Sequence, residues 1–513
     1  MKDETSFSTG DGAMRFVSFF ADGKTLAAPD ALKPPDVSAA PVPFYKLPVL
    51  DPPDFFGHLP FSHELQAFLS GKLLSFDELP YPMDMIHEHY LHGCLTYVKG
   101  IAVDVGGSFV CKRCGNDKPR LFASFSCFRC KETECVYCRK CLVMGRISRC
   151  TPLVRWCGPQ LDWRVDDVAL EWDGDLSAAQ KKASDQMVSR IGDEGELLIW
   201  AVCGAGKTEV LFHGVEKALK AGQRVCLATP RTDVVLELLP RLRKVFPGVT
   251  LAGLYGGSEE KSEGAQLIVS TTHQLYRFRE AFDLVVVDEV DAFPYSYDQS
   301  LEYAVHQAKK GNALLVYLSA TPSRKMKKSA SLGHLAHVRI PVRFHGFPLP
   351  VPRFVWCGNW KKRLKKGRLP SNVVDWVSHQ LEVKRQGFLF VPSVAALHQV
   401  VALLKAGFPG IEGVHAEDPE RKEKVMKFRK GEVSIVVTTT ILERGVTVPF
   451  TDVAVLGAEE DIFTESALVQ IAGRSGRSKD DPAGDVLFFH YGRTNAMVDA
   501  KRHIEGMNKE AEL

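Results

Sequence analysis

The sequence predicts an α/β protein in which two tandem parallel-sheet domains follow a small metal-binding module. Three observations carry that prediction. Short apolar runs alternate with helical stretches over the C-terminal two-thirds of the chain, a Pro-rich break divides the runs into two sets, and seven cysteines crowd between Cys111 and Cys141, upstream of both. Apolar runs separated by helical segments are what a parallel sheet covered on both faces requires. The 513 residues correspond to about three domains at roughly 150 residues each, enough to bury several cores.

Composition narrows the class. Hydrophobic residues at 45% and charged residues at 25% are ordinary for globular protein and exclude wholesale disorder, a coiled coil or a collagen-like rod. No apolar run approaches the ~18 residues of a membrane-spanning helix. The start, MKDETSFSTGDG, lacks a basic segment followed by an apolar one, so no secretory signal is expected and the chain is read as cytoplasmic. A net charge of +3 is too small to turn the whole surface into a trap for polyanions. Nucleic-acid binding therefore has to come from local patches.

Taken in order, residues 1–55 are rich in Pro, Asp and Ala without sustained periodicity and are expected to form a mobile tail. Residues 56–105 mix helical and strand-like pieces without recognisable chemistry. The cysteine module occupies 106–160. It carries Cys111-x2-Cys114, then Cys127-x2-Cys130, then Cys135-x2-Cys138-x2-Cys141. In a reducing compartment such density points to metal rather than disulfides. Each C-x-x-C knuckle offers two thiolates to a tetrahedral Zn²⁺. Pairing the first knuckle with the second gives a compact ribbon; pairing it with Cys138 and Cys141 gives a longer finger. From Cys111 to Arg155 there are 11 Lys or Arg against 3 Asp or Glu, a strongly basic segment suited to gripping a single strand or docking a partner.

The first sheet domain, 161–345, opens its chemistry with GELLIWAV running into AVCGAGKT (201–208). This is the spacing of a phosphate-binding P-loop with Ala201 where the first Gly usually stands. Gly204, Ala205 and Gly206 let backbone amides curl around phosphate oxygens, Lys207 reaches the β- and γ-phosphates of ATP, and the Thr208 hydroxyl holds Mg²⁺. About eighty residues on, FDLVVVDEVDAF puts Asp288 and Glu289 at the end of a buried strand, where ligands bind in open parallel sheets. Asp288 is the expected Mg²⁺ ligand and Glu289 the general base for the attacking water. The Pro-rich segment 339–354 is read as the linker to the second domain, 346–513.

With the P-loop, DEVD (288–291) and SAT (319–321) in this order, residues 170–495 resemble the superfamily-two helicases and translocases. The resemblance implies two RecA-like domains. It identifies LSAAQ (176–180) with the adenine-reading element, Gln180 being the base contact, and QIAGRSGR (470–477) with the arginine-finger motif. Arg474 and Arg477 then stabilise charge on the γ-phosphate only when the two domains close. Thr229, Arg231 and Thr271 in the first domain, with Thr438 and Thr439 of TTTILERGVTVP (438–449) in the second, are the expected contacts to a nucleic-acid backbone. The basic runs 324–328 and 361–368 could add electrostatic track, though solvated surface is the commoner role of such runs; Trp356 and Trp360 beside the second could stack on bases, though core packing is the commoner role.

CKRCG, YCRKCLVMGR and the motor motifs together resemble the ComFA family of late competence proteins. That resemblance implies zinc ligation by Cys111, Cys114, Cys138 and Cys141, with Cys127, Cys130 and Cys135 left for an alternative pairing or a second metal. It also implies ATP-driven translocation on single-stranded DNA during uptake of transforming DNA. The implied setting is the inner face of the membrane DNA channel, with ComFC and DprA as partners and homo-oligomerisation left open. The competing expectations are a PriA-like replication-restart helicase, whose knuckles lie within rather than before the motor, a DEAD-box RNA helicase, and a non-catalytic zinc-dependent scaffold.

Overall fold

The computed structural model describes residues 14–164, 168–442 and 448–512. Its N-terminal unit corrects the expectation of a tail. Phe16–Ala21 and Lys24–Pro29 pair as an antiparallel hairpin. Asp22 and Gly23 turn it with φ of 50° and 77°, the two-residue Asp-Gly turn that matches strand twist. Phe16 and Phe44 are fully buried, their rings 5.0 Å apart in edge contact, and they join one core with Tyr90, Tyr97 and Trp156. The prolines that suggested disorder are spacers between these anchors. Residues 1–13 lie outside the described residues.

The same unit absorbs residues 56–105 and redraws the module's boundary. Leu73–Ser75, Pro152–Trp156 and Leu95–Lys99 form a three-stranded antiparallel sheet with Pro152–Trp156 in the middle. The cysteine module is thus an insertion between an outer strand and the central strand of one small sheet. Within it, Phe122–Cys127 and Glu132–Cys138 form a hairpin, to which Ile147–Ser148 adds a third strand.

The first large domain is a seven-stranded parallel sheet. In chain order its strands are β1 (Gly195–Ala201), β2 (Val225–Thr229), β3 (Leu251–Leu254), β4 (Leu267–Thr271), β5 (Phe282–Val287), β6 (Lys309–Ser319) and β7 (Ala336–Ile340), arranged β3-β4-β2-β5-β6-β1-β7. The second is a six-stranded parallel sheet of β8 (Arg353–Trp356), β9 (Gln386–Phe390), β10 (Ile411–Val414), β11 (Ile435–Thr438), β12 (Thr451–Leu456) and β13 (Val486–His490), arranged β8-β13-β12-β9-β11-β10. Interior strands such as β2, β4 and β12 are buried at every residue, which is why they read as unbroken apolar runs. Strand order reverses beside β1 in one sheet and beside β9 in the other, opening crevices at the carboxyl ends of the strands.

The C-terminal helix Asn495–Ala511 reaches back across the linker. Asn508 exchanges two 2.8 Å hydrogen bonds with the backbone of Leu349, and Glu510 pairs with Arg339 of β7 at 2.7 Å.

Candidate active site and cysteine clusters

At the end of β1 the chain enters the phosphate loop. Gly204 and Gly206 take φ of 79° and 67°, and the helix Lys207–Lys220 starts immediately after. These left-handed conformations suit Gly and aim backbone amides and the positive helix end at one point. Gln180 sits behind the loop. Its Nε2 donates to the carbonyls of Ala205 (2.9 Å) and Gly206 (3.4 Å), while its Oε1 accepts from the Ser177 amide at 2.8 Å. Both ends of that buried amide are therefore engaged by protein. In this arrangement the amide braces the phosphate loop.

Asp288 and Glu289 follow β5. The Asp288 amide still donates to Ala228 of β2 at 2.8 Å, which fixes its position in the sheet. Glu289 turns away with φ of 55°, a backbone conformation that non-Gly residues adopt at a cost. The next acid, Asp291, accepts from Ser319 Oγ (2.6 Å) and Thr321 Oγ1 (2.7 Å) of the SAT segment. It also accepts from Ser466 Oγ of the second domain at 3.0 Å.

Ser466 lies on the helix Glu465–Ala472, which leads directly into the arginine motif. Three more contacts from this helix and the residues after it seat the second domain on the first. Lys327 pairs with Glu465 at 3.0 Å. The Cys203 thiol of the phosphate loop donates to Gln470 Oε1 at 3.0 Å. Gly473 lies so close that an added Cβ would stand 2.4 Å from that of Cys203. Arg474 is 2% exposed; burial pushes its pKa well down, and the neighbouring Arg477 and Arg231 push it further. Arg477 donates to the Gly473 carbonyl at 2.9 Å.

Arg343 of the linker, 1% exposed, donates to the carbonyls of Ser475 (2.9 Å), Gly476, Pro348 (2.5 Å) and Pro482 (2.9 Å). The next residue, Phe344, donates its amide to the Gly204 carbonyl at 3.0 Å. The linker thus ties the arginine loop to the phosphate loop, a role that no motif in the chain announces.

In the module, Cys111, Cys114, Cys138 and Cys141 are all buried and their sulfurs lie within 4.8 Å of one another. Two Sγ pairs, Cys111–Cys141 and Cys114–Cys138, stand at 3.6 Å. Four thiolates about 2.3 Å from a tetrahedral Zn²⁺ are about 3.8 Å apart, so the donor set fits zinc. Asn116 Nδ2 donates to Cys138 Sγ at 3.7 Å, a further restraint on that ligand. The knuckle packs onto the first large domain. Cys111, Cys114, Cys138 and Cys141 share a core with Leu275, Leu301 and Val305, and Glu78 receives Arg113 at 2.8 Å and Arg277 at 3.0 Å. Cys127, Cys130 and Cys135 gather separately with Cys150, a residue not singled out from sequence.

The family described as Competence protein ComFA N-terminal domain matches residues 58–155. Those described as Type III restriction enzyme, res subunit, and Helicase conserved C-terminal domain match 173–324 and 371–479. Competence protein ComFA of Bacillus subtilis (strain 168) is 50% identical over 452 residues, covering 88% of this chain and 96% of that protein. The chain belongs to the ComFA family. Competence protein ComFA of Streptococcus pneumoniae is 40% identical over 77% of this chain and 92% of its own length. A transcription-repair-coupling factor of Staphylococcus haemolyticus is 25% identical over 66% of this chain and 29% of its own. This ComFA-family chain is thus a competence-associated, helicase-like ATPase with two RecA-like domains, and helicase domains of this kind imply ATP and Mg²⁺.

The candidate nucleic-acid contacts take the following places in the fold. Thr229, Thr271 and Thr438 are buried at strand ends, and the Thr438 hydroxyl donates to the carbonyls of Val414 (2.9 Å) and Thr439 (3.1 Å). Arg231 pairs with Asp233 at 2.7 Å and donates to the Ile441 carbonyl across the domain boundary at 3.1 Å. Trp360 is core, its Nε1 donating to Glu459 at 2.8 Å. Trp356 is 60% exposed, with Tyr491 5.2 Å away. Residues 443–447 of TTTILERGVTVP lie outside the described residues. Among the described residues no helix is long and apolar enough to cross a membrane.

Proposed function

We propose that this chain is an ATP-driven translocase acting on single-stranded DNA during uptake of transforming DNA. The observation that supports it best is the seating of the arginine helix on the DEVD segment through Asp291–Ser466 and on the phosphate loop through Cys203–Gln470. Closure of the two domains and completion of the catalytic set then become one event. Lys207 binds the β- and γ-phosphates, and Gln180 holds the loop in shape. Thr208 and Asp288 would hold Mg²⁺, which supplies charge neutralisation along the phosphates. Glu289 takes a proton from the attacking water as the γ-phosphoryl passes to it and ADP leaves. Arg474 and Arg477 offset the charge spreading over the transferring group, a contribution of roughly 10³ to 10⁵ in rate for such fingers. Burial first, and the positive charge of Arg477 and Arg231 after it, lower the proton affinity of Arg474, a setting that a polyphosphate relieves.

The DNA track is assigned to the strand-end face of both domains, with the exposed Trp356–Tyr491 pair as a stacking platform. The motor is proposed to sit at the inner face of the membrane DNA channel, with ComFC and DprA as its proposed partners. The test is ATP hydrolysis by the purified chain with no nucleic acid, single-stranded DNA, duplex DNA and RNA, beside Lys207→Ala and Glu289→Gln. Stimulation by single-stranded DNA that both variants lose is the expected result. Equal rates with and without every nucleic acid, or a wild-type rate in Glu289→Gln, would refute the reading.

A further inference from the structure

The structure assigns a second metal site to Cys127, Cys130, Cys135 and Cys150, and the ion it fits is Zn²⁺ held by four thiolates. Their sulfurs lie within 4.8 Å of one another, with Cys127 and Cys150 at 3.9 Å, close to the ~3.8 Å edge of a four-thiolate zinc tetrahedron. All four side chains are buried.

What surrounds them argues for metal rather than for packing. Among the described residues, the buried core at this end of the module consists of these four cysteines, with Phe125 as the partly buried apolar side chain packed against them. Four small thiols and one ring bury too little apolar surface to hold a hairpin on their own. A bound ion supplies the missing stabilisation. The local backbone is shaped for it. The Lys131 amide donates to the Cys127 carbonyl at 2.9 Å, Lys131 has a φ of 60°, and the hairpin register shifts between Phe125 and Cys127. The turn and bulge bring both knuckle thiols to one side.

Strand geometry keeps the two sites apart. Cys135 and Cys138 stand three residues apart on the strand Glu132–Cys138, and side chains alternate faces along a strand. They therefore point to opposite faces of the hairpin and serve different ions. The fourth ligand, Cys150, is two residues before Pro152–Trp156, the central strand of the N-terminal sheet. The second ion thus fastens the hairpin tip, where Phe128 is 68% exposed, to the body of that sheet. Binding releases the four thiol protons to solvent and leaves a centre of formal charge −2, beside Arg129, Lys131 and Arg149.

The experiment is zinc content of the full-length chain, purified under reductant and desalted, by elemental analysis and by mercurial release into a chromogenic chelator. Two zinc ions per chain are expected, falling to one in Cys127→Ser/Cys150→Ser and to one in Cys111→Ser/Cys138→Ser. A single zinc per wild-type chain, or an unchanged count in Cys127→Ser/Cys150→Ser, overturns the assignment. Should either variant misfold, cobalt titration of the metal-stripped wild type decides. A thiolate-to-cobalt charge-transfer band saturating at two equivalents supports the second site, and saturation at one overturns it.

Discussion

Ser466→Ala isolates the contact between the two motor domains. Ser466 Oγ reaches Asp291 Oδ2 at 3.0 Å and Thr321 Oγ1 at 2.7 Å, so its loss leaves the Asp291–Ser319 and Asp291–Thr321 bonds of the first domain in place. A hydrogen bond to a charged group contributes about 1.5–3 kcal/mol net. If the domains separate and meet during turnover, that energy belongs only to the closed arrangement. Its removal lowers the closing equilibrium by about 10- to 150-fold at about 1.4 kcal/mol per tenfold. The assay is DNA-stimulated ATP hydrolysis, read as kcat and KM separately, with Asp291→Asn and the double variant completing a cycle. The expected pattern is a large loss in kcat, little change in the thermal midpoint, and a double variant no worse than Asp291→Asn. Activity of Ser466→Ala within about twofold of wild type would refute the closure argument, since one charged hydrogen bond is worth at least tenfold.

Three further outcomes follow from the same geometry. Gly473→Ala, whose new methyl would meet Cys203 Cβ at 2.4 Å, is expected to cost about 1–3 kcal/mol of overpacking at the domain contact and to lower kcat, with partial recovery in the Cys203→Gly background; steady-state kinetics of the pair checks this. Glu465 has its pKa pushed down from 4.5 to about 2, first by the hydrogen bond from His503 and then by Lys327, against opposing burial. Its contribution is complete above about pH 4.5 and is lost as pH falls toward 2, so Glu465→Gln should flatten that part of the stability-against-pH curve in urea melts. Phe16→Ala removes a fully buried ring from the N-terminal core, and a loss of about 3–5 kcal/mol measured by denaturant unfolding is expected; an unchanged midpoint would restore the tail.

What the sequence disclosed follows from burial. Nine of the thirteen large-sheet strands were legible as apolar runs, and the four that were not, β3, β7, β8 and β10, are the edges of their sheets. An edge strand packs on fewer neighbours, so its residues are only partly buried, as in Arg353–Trp356, and the apolar signal lapses. The hairpin Phe16–Pro29 was hidden for another reason: its Asp-Gly turn was present in the sequence, but the prolines that follow outweighed it. The phosphate loop, Asp288, Glu289 and the arginine pair were legible because their spacing is local. Asp291–Ser466, Arg343 and Cys150 were not, because a defining partner of each lies far along the chain: Ser466 is 175 residues from Asp291, Ser475 is 132 from Arg343, and Cys127 is 23 from Cys150. That the Gln180 amide braces the phosphate loop is a feature only side-chain geometry discloses.

The placement of the cysteine module between an outer and the central strand of one sheet sets an order of events during synthesis. Leu73–Ser75 and Leu95–Lys99 leave the ribosome first but have nothing to pair with until Pro152–Trp156 emerges. By then every cysteine up to Cys150 is already outside. The three-stranded sheet can therefore close only once the whole cysteine segment has been delivered between its strands. Until Pro152–Trp156 arrives, both outer strands stand with unpaired edges, the state most open to aggregation and proteolysis.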